Sequence, residues 1–287
     1  MKAIYKKEVK SYLTSMIGYV FIFFILLLEG IYFTAYNLQN AYPLFGTTLS
    51  AVTFIFLILV PVLTMKTIAE ERKQKTDQLL LTAPVSVSEI VLGKFLAEAT
   101  VYAIPVLIIC LYPMIMGKYG TVSYAMAYTA VLGFALLGFA QIAVGVFWSS
   151  VTENPVIAAV VTFIVLFVCY MITGIGSLIP DSSMASLACY MLLVLLAAVW
   201  IYHMIRNLWI AAVIGIAGEA ALAITYVVKS TLFEGSIQKF LAVFDITSHF
   251  DNFTNGILDL QGVVYFLSVI IIFLVLTVQT ITKRRWN

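Results

Sequence analysis

Long apolar blocks alternate with short polar ones along the chain, and the blocks are of membrane length. Taking about 20 residues as the length that crosses ~30 Å of hydrocarbon, the pattern predicts spans at 17–36, 48–65, 96–116, 125–148, 156–176, 186–205, 208–228 and 261–281. The expected fold class is an all-α integral membrane protein of about eight transmembrane helices, with no linker to divide 1–287 into domains. Ahead of the first block, at ~100° per residue, Tyr5, Val9, Tyr12, Leu13 and Met16 fall on one arc and Lys7, Glu8, Lys10, Ser11 and Thr14 on the other. Residues 1–15 are therefore expected to form an amphipathic helix lying on the inner membrane surface.

The polar interval between the second and third blocks, 66–94, is the one long charged stretch bounded on both sides by membrane-length apolar sequence. Glu70, Glu71, Arg72, Lys73 and Lys75 keep its first part in water. Thr76 is a fair N-cap for a short helix with Asp77 in its first turn, where negative charge suits the helix dipole. Leu79, Leu80 and Leu81 then offer more apolar surface than a solvated loop carries, and Pro84 stops that helix. A second helix restarts at Ser86, with Glu89 three residues on in the reciprocal capping arrangement, and runs through Gly93 and Lys94 into the bilayer. The leucine ridge suits either docking to another protein or an interfacial loop dipping into headgroups, and the residues alone leave both open.

Composition agrees with a membrane protein: of 287 residues 63% are apolar and 10% charged, and mean hydropathy is +1.06. The position of the basic residues is more informative than the net charge. Lys2, Lys6, Lys7, Lys10, Lys66, Arg72, Lys73, Lys75, Lys94, Arg206, Lys283, Arg284 and Arg285 fall on one predicted side, against Lys118, Lys229 and Lys239 on the other. The positive-inside rule then places both termini and the 66–94 segment in the cytosol. The first apolar block is too long for a signal core and lacks a small-x-small cleavage pattern, so it reads as a retained span.

Chemistry-bearing clusters are sparse. Cys110, Cys169 and Cys189 lie in or beside apolar runs without metal or redox spacing, and His203 and His249 fall on opposite predicted sides. The Gly-Lys pair of LGKF at 92–95 lacks the upstream glycine and the following Ser or Thr of a phosphate loop, so no nucleotide site is expected in this chain. Glu29 and Glu219 fall near mid-membrane, where an ionisable group marks either a cavity or relay or a protonated, paired side chain. Gln141 is a candidate for helix–helix hydrogen bonding or substrate contact, and Gly133, Gly138 and Gly145 allow close approach in internal packing or a dimer seam. In the long interval 229–259, Phe233, Ile237, Phe240, Leu241 and Phe244 recur at helical spacing and predict a short amphipathic helix.

Two segments carry a resemblance. The order EER, Thr, a leucine cluster, Pro with a small apolar residue and Ser, then LGK, between 70 and 94, resembles the loop after the second helix in permease subunits of ABC-2 type transporters. His249 to Trp286, HFDNFTNGILDLQGVVYFLSVIIIFLVLTVQ followed by RRW, is similar to the closing segment of the gliding-motility-type branch. Lys75 stands where that family usually has a glycine. The resemblance implies a six-helix core, so that 186–228 is an extra pair, in a bacterial cytoplasmic membrane. It implies that the chain is not itself an enzyme and holds no cofactor, ATP and Mg being bound by a cytosolic ABC ATPase subunit. The coupling segment docking that partner would comprise Glu71, Arg72, Thr76, Asp77, Leu79, Leu80, Pro84, Ser86, Glu89, Gly93 and Lys94. Other implied partners are a second permease copy or related permease, membrane lipids and room for an extracytoplasmic accessory protein, but no nucleic acid. The expected function is export of a lipid, amphiphile, peptide or similar substrate; the alternative is a proton-coupled secondary transporter relaying through Glu29 and Glu219.

Overall fold

The computed structural model of the chain describes residues 1–77, 85–205 and 207–285, and every regular element among them is helical. Helix α1 is Lys2–Thr14 and α2 Met16–Tyr32, which runs on through a π-helical turn, Phe33–Gln39. Next come α3 (Phe45–Val52) and α4 (Phe56–Thr64), joined by a 3₁₀ turn, then α5 (Ala69–Lys73), α6 (Val87–Ile109), α7 (Tyr112–Met116) and α8 (Tyr124–Val151). The chain continues as α9 (Pro155–Ser177), α10 (Ser183–Ile205), α11 (Leu208–Val228), α12 (Ser236–Ala242), α13 (Ser248–Thr254) and α14 (Leu260–Arg285). Among the described residues six stretches are long and apolar enough to cross a membrane: Met16–Gln39, Phe45–Lys73, Val87–Met116, Tyr124–Val151, Pro155–Ser177 and Leu260–Arg284.

In the region expected to hold two further spans, both helices form, α10 with 23 residues and α11 with 21, and the apolar stretch counted among the described residues of α10 is Ser183–Val199. Ala212–Val228 is followed by Ser230–Ala242 at a bend of 116°, which raises the number of candidate spans to at most seven among the described residues, against the eight expected. The short helix predicted within 229–259 is α12, preceded by a 3₁₀ turn at Ser230–Phe233, and a further helix, α13, follows it. Phe233 and Ile237 are buried, whereas Phe240 and Phe244 are exposed.

Contacts divide the chain into two compact units, Met1–Val168 with Ile246–Asn287, and Cys169–Asp245. In the first, α8 is the axis, because its small residues let three neighbours approach closely. An added Cβ at Gly133 would lie 2.5 Å from Phe253 of α13, at Gly138 2.3 Å from the Tyr102 ring of α6, and at Gly145 2.2 Å from the Thr64 hydroxyl of α4. All three glycines are thus consumed by packing inside this unit. Leu137, Ala140 and Ile142 between them are fully buried. By contrast Ile157, Val160 and Ile164 leave α9 with an exposed apolar face, the surface a lipid environment covers.

Helix α1 does more than lie on a surface: Tyr5, Val9, Tyr12 and Leu13 turn inward as expected, and the Tyr5 hydroxyl meets the Thr100 hydroxyl of α6 at 3.0 Å. Two positions depart from the predicted arc. Met16 is exposed, since Ser15 in extended conformation ends the helix before it, and Glu8, assigned to the polar side, is drawn inward by a lysine of α6.

Candidate functional site

At one end of the first unit, charged side chains from five elements meet. Lys94, on the second turn of α6, is only 2% exposed; its Nζ lies 2.9 Å from Glu71 Oε1 and 3.2 Å from Glu8 Oε1, and donates to the Thr67 carbonyl at 2.7 Å. Lys7 sits 3.7 Å from Glu8 and 3.6 Å from Glu71, leaving two cations facing two carboxylates. A lysine so enclosed requires partners, since a buried, unpaired ammonium costs several kcal/mol. Its position therefore fixes α1, the 67–71 turn and α6 relative to one another.

Arg72, the next residue after Glu71, points the other way. Its Nη1 donates to the carbonyls of Ser150 and, at 3.1 Å, Thr152, and Nη2 lies 3.6 Å from Glu153. Those carbonyls end α8, where the last turn has no intrahelical donors and the helix dipole favours a cation. Arg284 of α14 reaches the same Glu153 at 3.4 Å. The break between α4 and α5 is closed by Ser149 of α8, whose hydroxyl oxygen accepts from the Ile68 and Ala69 amides at 3.1 Å each. Consecutive residues of one short helix thus grip opposite sides of the unit: Glu71 holds α1 and α6, Arg72 holds α8.

One turn deeper, Glu98 follows Lys94 on the same face of α6. Its Oε1 accepts from the Tyr12 hydroxyl at 2.8 Å and from the Thr67 hydroxyl, and its Oε2 is buried without a hydrogen-bond partner among the described residues. Burial, then the adjacent Glu98 carboxyl, holds the Tyr12 hydroxyl protonated well above the usual tyrosine range, so it acts as a donor. Against the charged cluster lies a polar cleft of about 330 Å³, lined by Lys7, Lys66, Glu70, Gln74 and Lys94 among others.

Of the residues expected to form a coupling segment, Glu71, Arg72 and Lys94 are brought together here. Gly93 lies against α1, a Cβ there falling 3.3 Å from Ile4. Ser86 caps α6, accepting from the Glu89 amide at 3.3 Å. The Glu89 carboxylate does not turn back to complete the reciprocal box; it lies 3.8 Å from the Met1 amine. Lys75 has φ of 58°, the left-handed conformation a glycine would adopt freely, so the turn forms with lysine at this position. The Thr76 hydroxyl donates to the Glu71 carbonyl at 3.2 Å, and Asp77 lies beside a small pocket with Arg72 and Lys94. Leu79, Leu80 and Pro84 lie outside the described residues.

The mid-chain polar candidates are apart from this cluster. Glu29 is fully buried in α2 and Gln141 nearly so in α8; both Glu29 oxygens and Gln141 Oε1 have no partner among the described residues. Glu219 belongs to the second unit. Tyr12, Glu8, Thr67, Glu98, Ser149, Glu153 and Arg284 were not among the site residues expected from the sequence. Glu98 alone carried a signal, standing four residues after Lys94 and so on its face of the helix.

No curated protein matches this chain. A family model described as ABC-2 family transporter protein matches residues 2–284. With its multi-pass, all-helical fold, the chain belongs to the ABC-2 transporter family, as a membrane permease component.

Proposed function

We propose that the chain is the permease subunit of an ATP-driven exporter of the gliding-motility-type branch, paired with a second permease and two cytosolic ATPase subunits. ATP and Mg belong to the ATPase, and the termini and 66–94 face the cytosol of a bacterium. The observation that carries the reading is the grip of Glu71 and Arg72 on α1, α6 and α8. A push on the segment that follows cannot be absorbed locally, because the adjoining turn is clamped to three helices that continue as or into spans. A partner shifts a conformational equilibrium only through contacts that differ between its states, and this clamp gives such contacts a rigid path. Substrates remain those of the exporter reading: a lipid, amphiphile, peptide or similar molecule, with an extracytoplasmic accessory protein as a further partner.

Co-expression with a candidate P-loop ATPase, purification, and ATPase assay test the proposal. A stoichiometric complex with altered ATPase activity is expected, and its loss on Leu79→Asp with Leu80→Asp while the permease stays monodisperse. A lone permease that transports without any ATPase, with transport abolished by Glu29→Gln and Glu219→Gln, would replace this reading by the proton-coupled one, which the unpartnered carboxyl oxygens favour.

A further inference from the structure

Within the unit Cys169–Asp245, the turn that follows α9 builds a cleft that ATP coupling does not use. Helix α9 is long and apolar enough to cross a membrane and ends at Ser177, so the cleft lies at the end of a span, where water and headgroups reach it. Its volume is about 460 Å³, within the range of roughly 300–1,000 Å³ typical of small-molecule sites. Ile172 of α9 and Leu241 and Ala242 of α12 supply apolar wall; Thr173, Ser177, Asp181 and Gln238 supply the polar side chains. Gln238 Nε2 donates to the Ile179 carbonyl at 2.9 Å and the Pro180 carbonyl at 3.5 Å, which holds the turn against α12 and fixes the shape of the cleft.

The protons of these polar groups are spent inside the fold. The Thr173 hydroxyl donates to the Asp245 carboxylate, and the Ser177 hydroxyl to the Gly174 carbonyl at 2.7 Å. The Gln238 amide is committed to the turn, the Ile179 amide donates to the Gly176 carbonyl at 3.1 Å, and Pro180 has no N–H. The two hydroxyls keep only lone pairs, and the exposed Asp181 carboxylate is an acceptor with a negative charge. Among the described residues no lysine or arginine lines the cleft.

This inventory selects its occupant. An anion would be repelled by Asp181, and a cation without N–H protons would leave the acceptors unmet. A divalent metal takes six or more oxygens, whereas one exposed carboxylate stands here, the Ile179 and Pro180 carbonyls already accept from Gln238, and three wall residues offer hydrocarbon. A primary ammonium brings three N–H donors and a single positive charge, and an alkyl chain behind it suits the apolar wall.

We propose that this cleft is a binding site for a primary alkylammonium group, its charge facing Asp181 and its carbon chain lying against Ile172 and Leu241. Two sources carry that chemistry, a soluble amine and the ethanolamine headgroup of a lipid.

The test uses the native full-length chain in phosphatidylcholine nanodiscs, whose headgroup has no N–H, with n-butylammonium, n-butyltrimethylammonium and butanoate each titrated by ligand-observed NMR against empty nanodiscs. Expected are saturable butylammonium binding near one per chain, binding of the trimethyl ion weaker by about fivefold or more because it has charge without a donor, and no saturable butanoate binding. Asp181→Asn should weaken butylammonium binding by about three- to tenfold, the scale of one charge-assisted hydrogen bond at an exposed carboxylate. Ala242→Phe, at an exposed position, should abolish binding by filling the cleft, while Glu234→Gln, exposed and outside the lining, leaves it near native. Butylammonium uptake equal to that of empty nanodiscs, equal affinity for the trimethyl ion, or equal effects of Asp181→Asn and Glu234→Gln would overturn the proposal. With binding established, repeating the titration in phosphatidylethanolamine nanodiscs separates the sources: a lowered apparent affinity assigns the site to the lipid headgroup, an unchanged one to a soluble amine. No ATPase enters the measurement, so its failure leaves the coupling proposal standing, and the reverse holds too.

Discussion

Replacing Lys94 by methionine keeps most of the side chain's volume and removes its charge, and the consequences can be worked from the geometry. In the native chain the ammonium is 2% exposed and lies 2.9 Å and 3.2 Å from two carboxylates, each less than a fifth exposed. At an effective dielectric constant of ~20, a contact near 3 Å is worth about 5 kcal/mol of attraction, most of it offset by the cost of removing the charges from water. Taking away one member leaves that cost without its compensation. The loss expected for breaking a buried pair is about 3–5 kcal/mol, and here Lys7 alone remains to answer both Glu8 and Glu71. Lys7 is 67% exposed, so its own replacement by alanine should cost no more than about 1 kcal/mol. Thermal unfolding in detergent should therefore show Lys94→Met lowering Tm by on the order of 10 °C and Lys7→Ala by ~2 °C. The double variant Lys94→Met with Glu71→Gln should recover a good part of the loss, because one stranded carboxylate is gone. Similar small shifts for Lys94→Met and Lys7→Ala would refute the clamp as an energetic unit.

Three further outcomes follow from local geometry. Gly138→Ala places a Cβ 2.3 Å from the fully buried Tyr102 ring and should cost about 1–3 kcal/mol or more by overpacking, whereas Gly120→Ala meets open space and should leave Tm unchanged. Lys75, at φ 58°, should tolerate glycine without loss, while Lys75→Val should be about 1–2 kcal/mol less stable than Lys75→Gly, a difference Tm resolves. The Asp259 carboxylate is held below the usual aspartate range by the Asn252 amide and then the Gln261 amide. A depressed folded-state pKa adds stability above the unfolded value of 3.8, lost as pH falls through the folded one. Asn252→Ala should accordingly raise the Asp259 pKa in an NMR titration, and no change would remove the amide as its cause.

The spans were legible because hydropathy over about 20 residues integrates many weak preferences, and a membrane admits few alternatives to a helix. Their register was not. The helix restarting after Ser86 and running through Lys94 into span three is read from the sequence and is formed, but which side of it is buried is not read there, and Lys94 and Glu98 both turn inward. Glu8 shows the same gap on α1: one turn of amphipathic pattern assigns a glutamate outward, and only the lysine at 94, more than 80 residues away, makes the inward orientation favourable. Propensity and periodicity are local quantities, whereas the compensation of a buried charge is not. The extra helix pair was detectable as apolar length, yet the 116° bend after Val228 depends on the chain path rather than on composition.

The charged residues of the EER run and of LGK divide the work of the segment in a way the sequence alone obscured. Were Glu71, Arg72 and Lys94 contacts for a partner, they would be exposed and free to pair with it; instead Arg72 and Lys94 are buried and all three are bonded within their own unit. They are tethers. Lys73, Gln74, Lys75 and Thr76 are exposed, and under the proposed coupling they are polar positions among the described residues through which a partner would be met. The two groups should then separate on substitution. Arg72→Lys keeps the charge but not the planar fork that reaches two carbonyls and a carboxylate at once, so it should lower stability while leaving partner affinity per folded chain unchanged. Reversing Lys73 and Lys75 to glutamate should leave Tm near native, since both are exposed, and weaken capture of the ATPase. Equal partner affinity in the reversed variant would move the docking surface off these four residues while leaving the clamp intact, because the clamp rests on burial and distance rather than on what binds beyond it.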